Sequence, residues 1–379
     1  MKKNTRRDLL KIGAAGLTGL AAAGRASAQE EGAGTMTPAR IAEAEKLAGV
    51  AYTEAEREQM IPTIEDQLTA IQQLRAFEKP NSLAPAQTFD PRLPGKTYPT
   101  GTESTLRTAD LPQRPVPADE ADIAFAPVAQ QAAWIKAGLL TSRQLTDIYL
   151  ARIERLDPTL HAWITVMPDR ARAEADAADA EIASGFYRGP LHGIPYGLKD
   201  LFDAKGAATT WGAAPYKNTP VKDEDCTIVQ KLAGAGAVLL GKTTCGALAY
   251  GDIWFGEVTR NPFDPREGSS GSSAGSASSV AGGLCAFAIG TETLGSLVSP
   301  SHRCGGSALR PTFGRVSRAG GMALCWSLDK VGPMARSVED LAMVMWALNG
   351  HDSADASSLA TSFSYAPMSD FSGLKLAFN

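Results

Sequence analysis

The run Ile194-Pro-Tyr-Gly-Leu198 is apolar and glycine-bounded, and it delivers a lysine, Lys199, followed by Asp200. Most lysines at such a place reach for water with a buried stem. A second segment gives this one another use. Gly268 to Gly283 contains only Gly, Ser, Ala and one Val, and it runs straight into the apolar stretch Leu284 to Ile289. Composition alone describes a flexible linker, but a linker does not normally lie between core elements. Small residues at this density let backbones pass closely and leave amides free to face an oxyanion. The four histidines (His161, His192, His302, His351) form no His-Glu-x-x-His pattern, and no credible Ser-His-Asp set is visible. A desolvated lysine can replace histidine as the base for a serine hydroxyl. Lys199 is the candidate.

A third pattern points elsewhere. Gly236-Ala-Val-Leu-Leu-Gly241-Lys242-Thr243 matches the phosphate-binding P-loop expression letter for letter. In a P-loop the residues between the glycines form a loop whose amides hold phosphate. Four consecutive apolar residues predict a buried strand instead, so nucleotide binding is not expected. The five cysteines include no Cys-x-x-Cys pair, which argues against structural zinc. No metal or other cofactor is expected.

The elements that must position these residues follow from periodicity. Residues 37–77 repeat apolar positions at mostly helical spacing, with Pro62 expected to divide them into two helices forming a hairpin. Residues 79–119 carry eight prolines and read as an extended linker wrapping a surface. Thr141-Ser-Arg-Gln144 is a capping-box start for a helix that Asp157-Pro158 should stop. Beyond it, Ile194–Leu198, Ala237–Leu240 and Leu284–Ile289 are apolar runs of the kind buried on both faces of a sheet, and Cys226–Gly234 reads as a helix. That alternation predicts an α/β sandwich around a mixed, largely parallel sheet.

Taken in order, these segments resemble the amidase signature family. The similarity runs from about Ala124 to the end. It is carried by Gly189-Pro-Leu-His-Gly-Ile-Pro195 with Lys199-Asp200, Ala235-Gly-Ala-Val238 with Gly241-Lys-Thr243, Asn261-Pro262, the Gly/Ser run, Gly290-Thr-Glu-Thr293, Leu309 to Ser317, Leu328 to Ala335 and Val338-Glu-Asp340. The resemblance implies an amidase that cleaves a carbon-nitrogen amide bond through a Ser-Ser-Lys triad and an acyl-enzyme. Lys199 matches the family's lysine, and Ser296, after Gly295, matches its nucleophile. Two Gly-Ser-Ser triplets compete for the bridging serine. Aligning back from Ser296 selects Gly271-Ser272-Ser273 over Ser269-Ser270, so Ser272 is assigned, with the cis peptide that the family carries there. Backbone amides of Thr293, Leu294, Gly295 and Ser296 are the implied oxyanion hole. Leu294 stands where the family often has glycine and is expected to narrow that turn. Val298 stands where arginine is common, which argues against a small acidic substrate held there; Arg303 and Arg310 are the nearby cations.

The same signature is shared by the glutaminase subunit of tRNA-dependent amidotransferases, a cytoplasmic alternative. A catalytically silent binding homologue is another. The first 28 residues bear on the choice. They join a basic start, an apolar run too short to span a bilayer and the small-residue end Ala26-Ser-Ala28. Thr5-Arg-Arg-Asp-Leu-Leu-Lys11 resembles a twin-arginine signal, which implies the twin-arginine export machinery as a partner and a periplasmic or secreted protein without a stable membrane anchor. Because such substrates cross the membrane folded, Cys285 and its like can stay free thiols. The full chain of 379 residues has 37 Lys+Arg against 41 Asp+Glu; without residues 1–28 it would carry 31 against 40, a formal −9. That balance argues against nucleic acid and leaves a small-molecule amide as the expected substrate. The expected organisation is a signal at 1–28, a helical and Pro-rich extension at 29–118 and an amidase domain at 119–379. Ser369 to Asn379 reads as the start of a further strand, so that domain is expected to be incomplete.

Overall fold

The computed structural model describes residues 35–80, 83–87, 90–98, 103–109, 114–368 and 370–375. The expected export signal at 1–28 lies outside them. The chain divides into two compact units, Met1–Lys79 and Pro80–Asn379.

In the first unit, helices α1 (Pro38–Ala48) and α2 (Glu54–Ala76) form the expected pair. The break is not at Pro62, which lies inside α2. Gly49 ends α1 in the left-handed conformation, and Thr53 opens α2 with a reciprocal capping box to Glu56. These two caps satisfy orphan backbone groups at adjacent helix ends, so they set the boundary. Arg57 joins the helices through a bidentate pair with Glu45, at 2.7 Å for each bond.

The second unit holds helices α3 (Glu120–Phe125), α4 (Val128–Lys136) and α5 (Ser142–Leu160), then strand β1 (Trp163–Val166) and helix α6 (Pro168–Ala183). Thr141 and Gln144 cap α5 reciprocally as expected. The helix does not stop at Asp157-Pro158. It continues to Leu160 and ends at His161 in the left-handed region, while the Asp157 carboxylate accepts the N–H groups of Ala162 (2.7 Å) and Trp163 (3.1 Å) beyond the end. The extended stretch before these helices lies along the unit, where Arg107 N–H and Tyr365 N–H bond to the carbonyls of Tyr365 and Thr105 at 2.9 Å.

Strands β2 (Pro195–Lys199) and β3 (Val238–Thr243) flank helix α7 (Thr227–Gly234); a short hairpin, β4 (Arg260–Asn261) and β5 (Asp264–Gly268), precedes helix α8 (Ala274–Ala281). Strand β6 (Phe287–Glu292), helix α9 (Val298–Arg303), strands β7 (Ser307–Ala308) and β8 (Lys330–Ala335) and helix α10 (Val338–Leu348) complete the unit. The six-stranded sheet has the order β1-β3-β2-β6-β8-β7. Its centre, β3-β2-β6, is parallel, and β1, β8 and β7 join antiparallel. This is the α/β class expected, with a mixed sheet that is parallel where it is most buried. Strands β2 and β3 are buried at every position, which explains why their sequences lack polar alternation.

Much of the Gly/Ser run is helix α8, buried along its whole length. Ser276 fixes it to the sheet, with its hydroxyl 2.8 Å from that of Thr243 and donating to the Ile289 carbonyl at 2.9 Å. Four cysteines, Cys226, Cys245, Cys285 and Cys304, are free and buried, while Cys325 is half-buried. The strand expected from Ser369 is not formed at the described residues 370–375, where Leu374 N–H returns to the Phe371 carbonyl in a turn; its other positions lie outside the described residues.

Candidate active site

The central parallel strands β2 and β6 end side by side, and the carboxyl edge of such strands is where open α/β sheets place ligands. Lys199 is the last residue of β2, while Thr291 and Glu292 end β6. Fully buried, the Lys199 side-chain nitrogen lies 2.8 Å from Ser272 Oγ, 3.0 Å from Ser273 Oγ and 2.8 Å from Thr291 Oγ1. All three recorded side-chain partners are hydroxyls. Desolvation brings the lysine pKa down from 10.5 to about 8.

Ser272 and Ser273 sit just before α8, and the Gly271–Ser272 peptide is cis. Gly271 permits the close approach here, since a Cβ on it would stand 1.8 Å from the Gly251 carbonyl oxygen. The Ser272 carbonyl accepts Gly246 N–H (3.2 Å), and Ser273 N–H donates to the Ser296 carbonyl (3.2 Å). That last bond brings the two serine segments together. Ser296 is 8% exposed, at the edge of the interior. The competing pair, Ser269 and Ser270, faces other partners. Ser269 donates to the Ser270 carbonyl, and the Ser270 hydroxyl is 2.8 Å from that of Ser299.

The loop between β6 and α9 is tied down at several points. The buried Glu292 carboxylate accepts N–H bonds from Leu297 (2.8 Å) and Val298 (3.1 Å) and receives Arg310 at 3.1 Å. Desolvation raises its pKa, but these bonds and one from Gly295 N–H outweigh it and hold the carboxyl below its ordinary range. Thr293 donates its hydroxyl to Asp329, and its carbonyl accepts Lys330 Nζ at 3.1 Å. Among the four residues expected to offer amides, Gly295 thus directs its N–H at Glu292. Leu294 is 87% exposed and points outward, so its side chain does not narrow the turn. Arg310 is committed to Glu292 and Arg303 to Glu267, at 2.9 Å.

Ser273, Thr291 and Glu292 escaped sequence reasoning. Ser273 is a hub: its hydroxyl donates to the Thr291 carbonyl (3.1 Å) and accepts from Thr291 N–H (3.1 Å) and Lys199. Its place in the second Gly-Ser-Ser triplet was the available signal. Gly290 leaves room for it, because a Cβ there would come within 2.7 Å of both Ser273 Oγ and Leu297 Cδ2. Gly290→Ala is therefore expected to cost about 1–3 kcal/mol by overpacking and to lower kcat more than it changes KM. Urea unfolding and steady-state kinetics check this together, and unchanged values in both would contradict the packing described.

The P-loop-like lysine has an internal role. Lys242, on fully buried β3, lies 2.6 Å from Asp200 Oδ1, both side chains wholly inaccessible, at an angle away from a linear hydrogen bond. It also bonds to Thr209 Oγ1 (3.1 Å) and the Ala208 carbonyl (3.2 Å).

Residues 144–378 match the Amidase family. A glutamyl-tRNA(Gln) amidotransferase subunit of Alkalilimnicola ehrlichii is 45% identical over 236 residues, covering 61% of this chain and 48% of that protein. Its counterpart in Halorhodospira halophila is 45% identical over 243 residues, with the same shares covered. The crystal structure of native peptide amidase from Stenotrophomonas maltophilia superposes with a TM-score of 0.58 at 42% identity, covering 62% of this chain and 50% of that one. A bacterial aryl acylamidase gives a TM-score of 0.57 at 29% identity, covering 62% and 50%. The chain spans about half the length of the curated relatives it matches.

Proposed function

The chain belongs to the amidase family, and from that premise we propose that it hydrolyses a carbon-nitrogen amide bond with Ser296 as nucleophile, Ser272 as proton bridge and Lys199 as base. The observation that carries this reading is a fully buried lysine, desolvated to a pKa of about 8, within 2.8 Å of the bridging serine. Its three bonds are open to both the ammonium and the neutral amine. The Ser273 proton is committed to the Thr291 carbonyl, so Ser273 accepts from the lysine. The ammonium form donates to all three hydroxyls; in the neutral form the base requires, two N–H groups serve Ser273 and Thr291 and the lone pair faces the Ser272 hydroxyl.

Ser296 Oγ attacks the amide carbonyl as its proton passes to Ser272 and the Ser272 proton passes to Lys199. Backbone amides of the Thr293–Ser296 loop stabilise the oxyanion, with Gly295 N–H shared with Glu292. Collapse breaks the carbon-nitrogen bond as the relay returns its proton to the leaving nitrogen. Water then hydrolyses the acyl-enzyme by the same relay, giving acid and amine. A fluorophosphonate probe is expected to label Ser296, as read by peptide mass spectrometry, and Ser296→Ala is expected to abolish labelling. Absence of labelling on the natively folded protein would sink the proposal and favour a silent binding homologue.

A second reading is favoured by the curated relatives' names: this chain would be the glutaminase subunit of a tRNA-dependent amidotransferase. The leader-like residues 1–28 separate the two. In the first reading they address the chain to the twin-arginine machinery and the periplasm or exterior, and a reporter fused to them is exported. A reporter retained in the cytoplasm would support the second.

A further inference from the structure

The segment that carries Ser272 meets the loop that carries Ser296 at more than one point. On the inner side, Ser273 N–H donates to the Ser296 carbonyl at 3.2 Å. At the rim, the hydroxyls of Ser270 and Ser299 lie 2.8 Å apart. Ser270 stands two positions before Ser272. Ser299 is in the first turn of α9, and its N–H donates to the carbonyl of Gly295, the neighbour of Ser296, at 2.8 Å. The rim pair therefore couples the same two segments a second time.

Ser270 is an unusual residue for its backbone. Its φ of 61° lies in the left-handed region, which glycine adopts freely and serine does not. The surroundings hold it there. Its N–H donates to Asp252 Oδ2 (2.9 Å), its carbonyl accepts the Ser269 hydroxyl (2.8 Å), and Ser269 N–H is fixed to the Thr259 carbonyl (2.9 Å). Strained residues persist where the structure over-determines them, and they gather at functional sites. What serine adds here over glycine is a hydroxyl, and that hydroxyl meets Ser299.

Resting on the amidase reading above, we infer that the Ser270–Ser299 pair is a clasp that positions Ser296 against Ser272. A single bond between two segments leaves a pivot, and a second bond away from it fixes their angle. The relay needs the two catalytic hydroxyls within hydrogen-bond reach, and a small misplacement there costs rate. Ser270 is half-buried and Ser299 exposed, so water replaces their bond with little loss of stability.

The test uses the full chain and a compact fluorophosphonate, with labelling of Ser296 followed by mass spectrometry to give kinact and KI. Ser299→Ala and Ser270→Gly are each expected to lower kinact about 5–20-fold with KI within about twofold of wild type. The urea midpoint is expected to stay in place for Ser299→Ala and to stay or rise for Ser270→Gly, which relieves the left-handed strain. Ser299→Thr keeps the hydroxyl and is expected to recover most of the lost rate. The double variant is expected to fall no further than the slower single, because both act through one bond. An unchanged kinact, a loss confined to KI, losses that multiply in the double variant, or a failure of Ser299→Thr to recover overturns the clasp while leaving the triad intact. Failure of the wild-type Ser296 to label overturns the amidase reading and this inference with it.

Discussion

Lys199→Met is expected to lower kcat/KM roughly 10²–10⁴-fold while leaving the stability of the fold within about 1 kcal/mol of wild type. The two halves of this result have one cause. A lysine whose pKa is about 8 in the folded chain and 10.5 in solution binds fewer protons folded than unfolded between those values. Stability contributed by this group therefore rises with pH across that window, and its burial is a full cost below pH 8, about 3 kcal/mol. Methionine fills a similar length without that cost, against about 1 kcal/mol for each of the three hydrogen bonds lost at Ser272, Ser273 and Thr291, so the two nearly offset. Kinetically the sign is the same. In the proposed mechanism the base is the neutral amine, so kcat/KM is expected to rise tenfold per pH unit below about pH 8 and level off above it. A urea midpoint that fell sharply in Lys199→Met, with activity largely retained, would mark Lys199 as structural.

The largest expected loss of stability lies at the ion pair of the neighbouring residue, Asp200. Lys242→Met removes the cation facing Asp200 and leaves a carboxylate in a dry interior with Thr210 as its recorded side-chain partner. Breaking a buried pair from one side costs about 3–5 kcal/mol, because the remaining charge has no compensation. Replacing both members, Asp200→Leu with Lys242→Met, is expected to recover much of that loss, since the desolvation cost disappears with the charges. Urea midpoints of the single and double variants measure the difference. A single variant within about 1 kcal/mol of wild type would contradict the burial described. Millimolar ATP is expected to leave the wild-type midpoint unmoved, because a ligand shifts stability only by binding the folded state.

What could be read in advance divides along physical lines. Strands β2, β3 and β6 were legible because burial on both faces suppresses polar alternation and leaves short apolar runs. The apparent P-loop resolved correctly for the same reason. Helix ends were less legible where proline was the signal. Pro62 and Pro158 both lie inside helices, and the true ends are set by Gly49 and Thr53 in one case and His161 with Asp157 in the other. A capping bond outweighed a propensity. Helix α8 was hidden because a run of Gly, Ser and Ala has no hydrophobic periodicity, and it became a helix through bonds such as those of Ser276 to its neighbours in the sheet. The lysine's own surroundings were the least legible. Ser273 and Thr291 lie 74 and 92 positions from Lys199, and only the folding of β2 against β6 brings them to one nitrogen.

The four buried thiols turn the molecule into its own clock. Burial pushes Cys226 up to about 11 and Cys285 and Cys304 up to about 12, and it raises Cys245 as well. At neutral pH a thiol of pKa 12 is ionised about once in 10⁵ molecules, and no reagent can reach it through the closed fold. Alkylation at these four positions therefore advances only as the interior opens, whereas half-buried Cys325 reacts early. Mass shifts counted over time would report how often each region of the sheet exposes itself, without a denaturant and without a substrate.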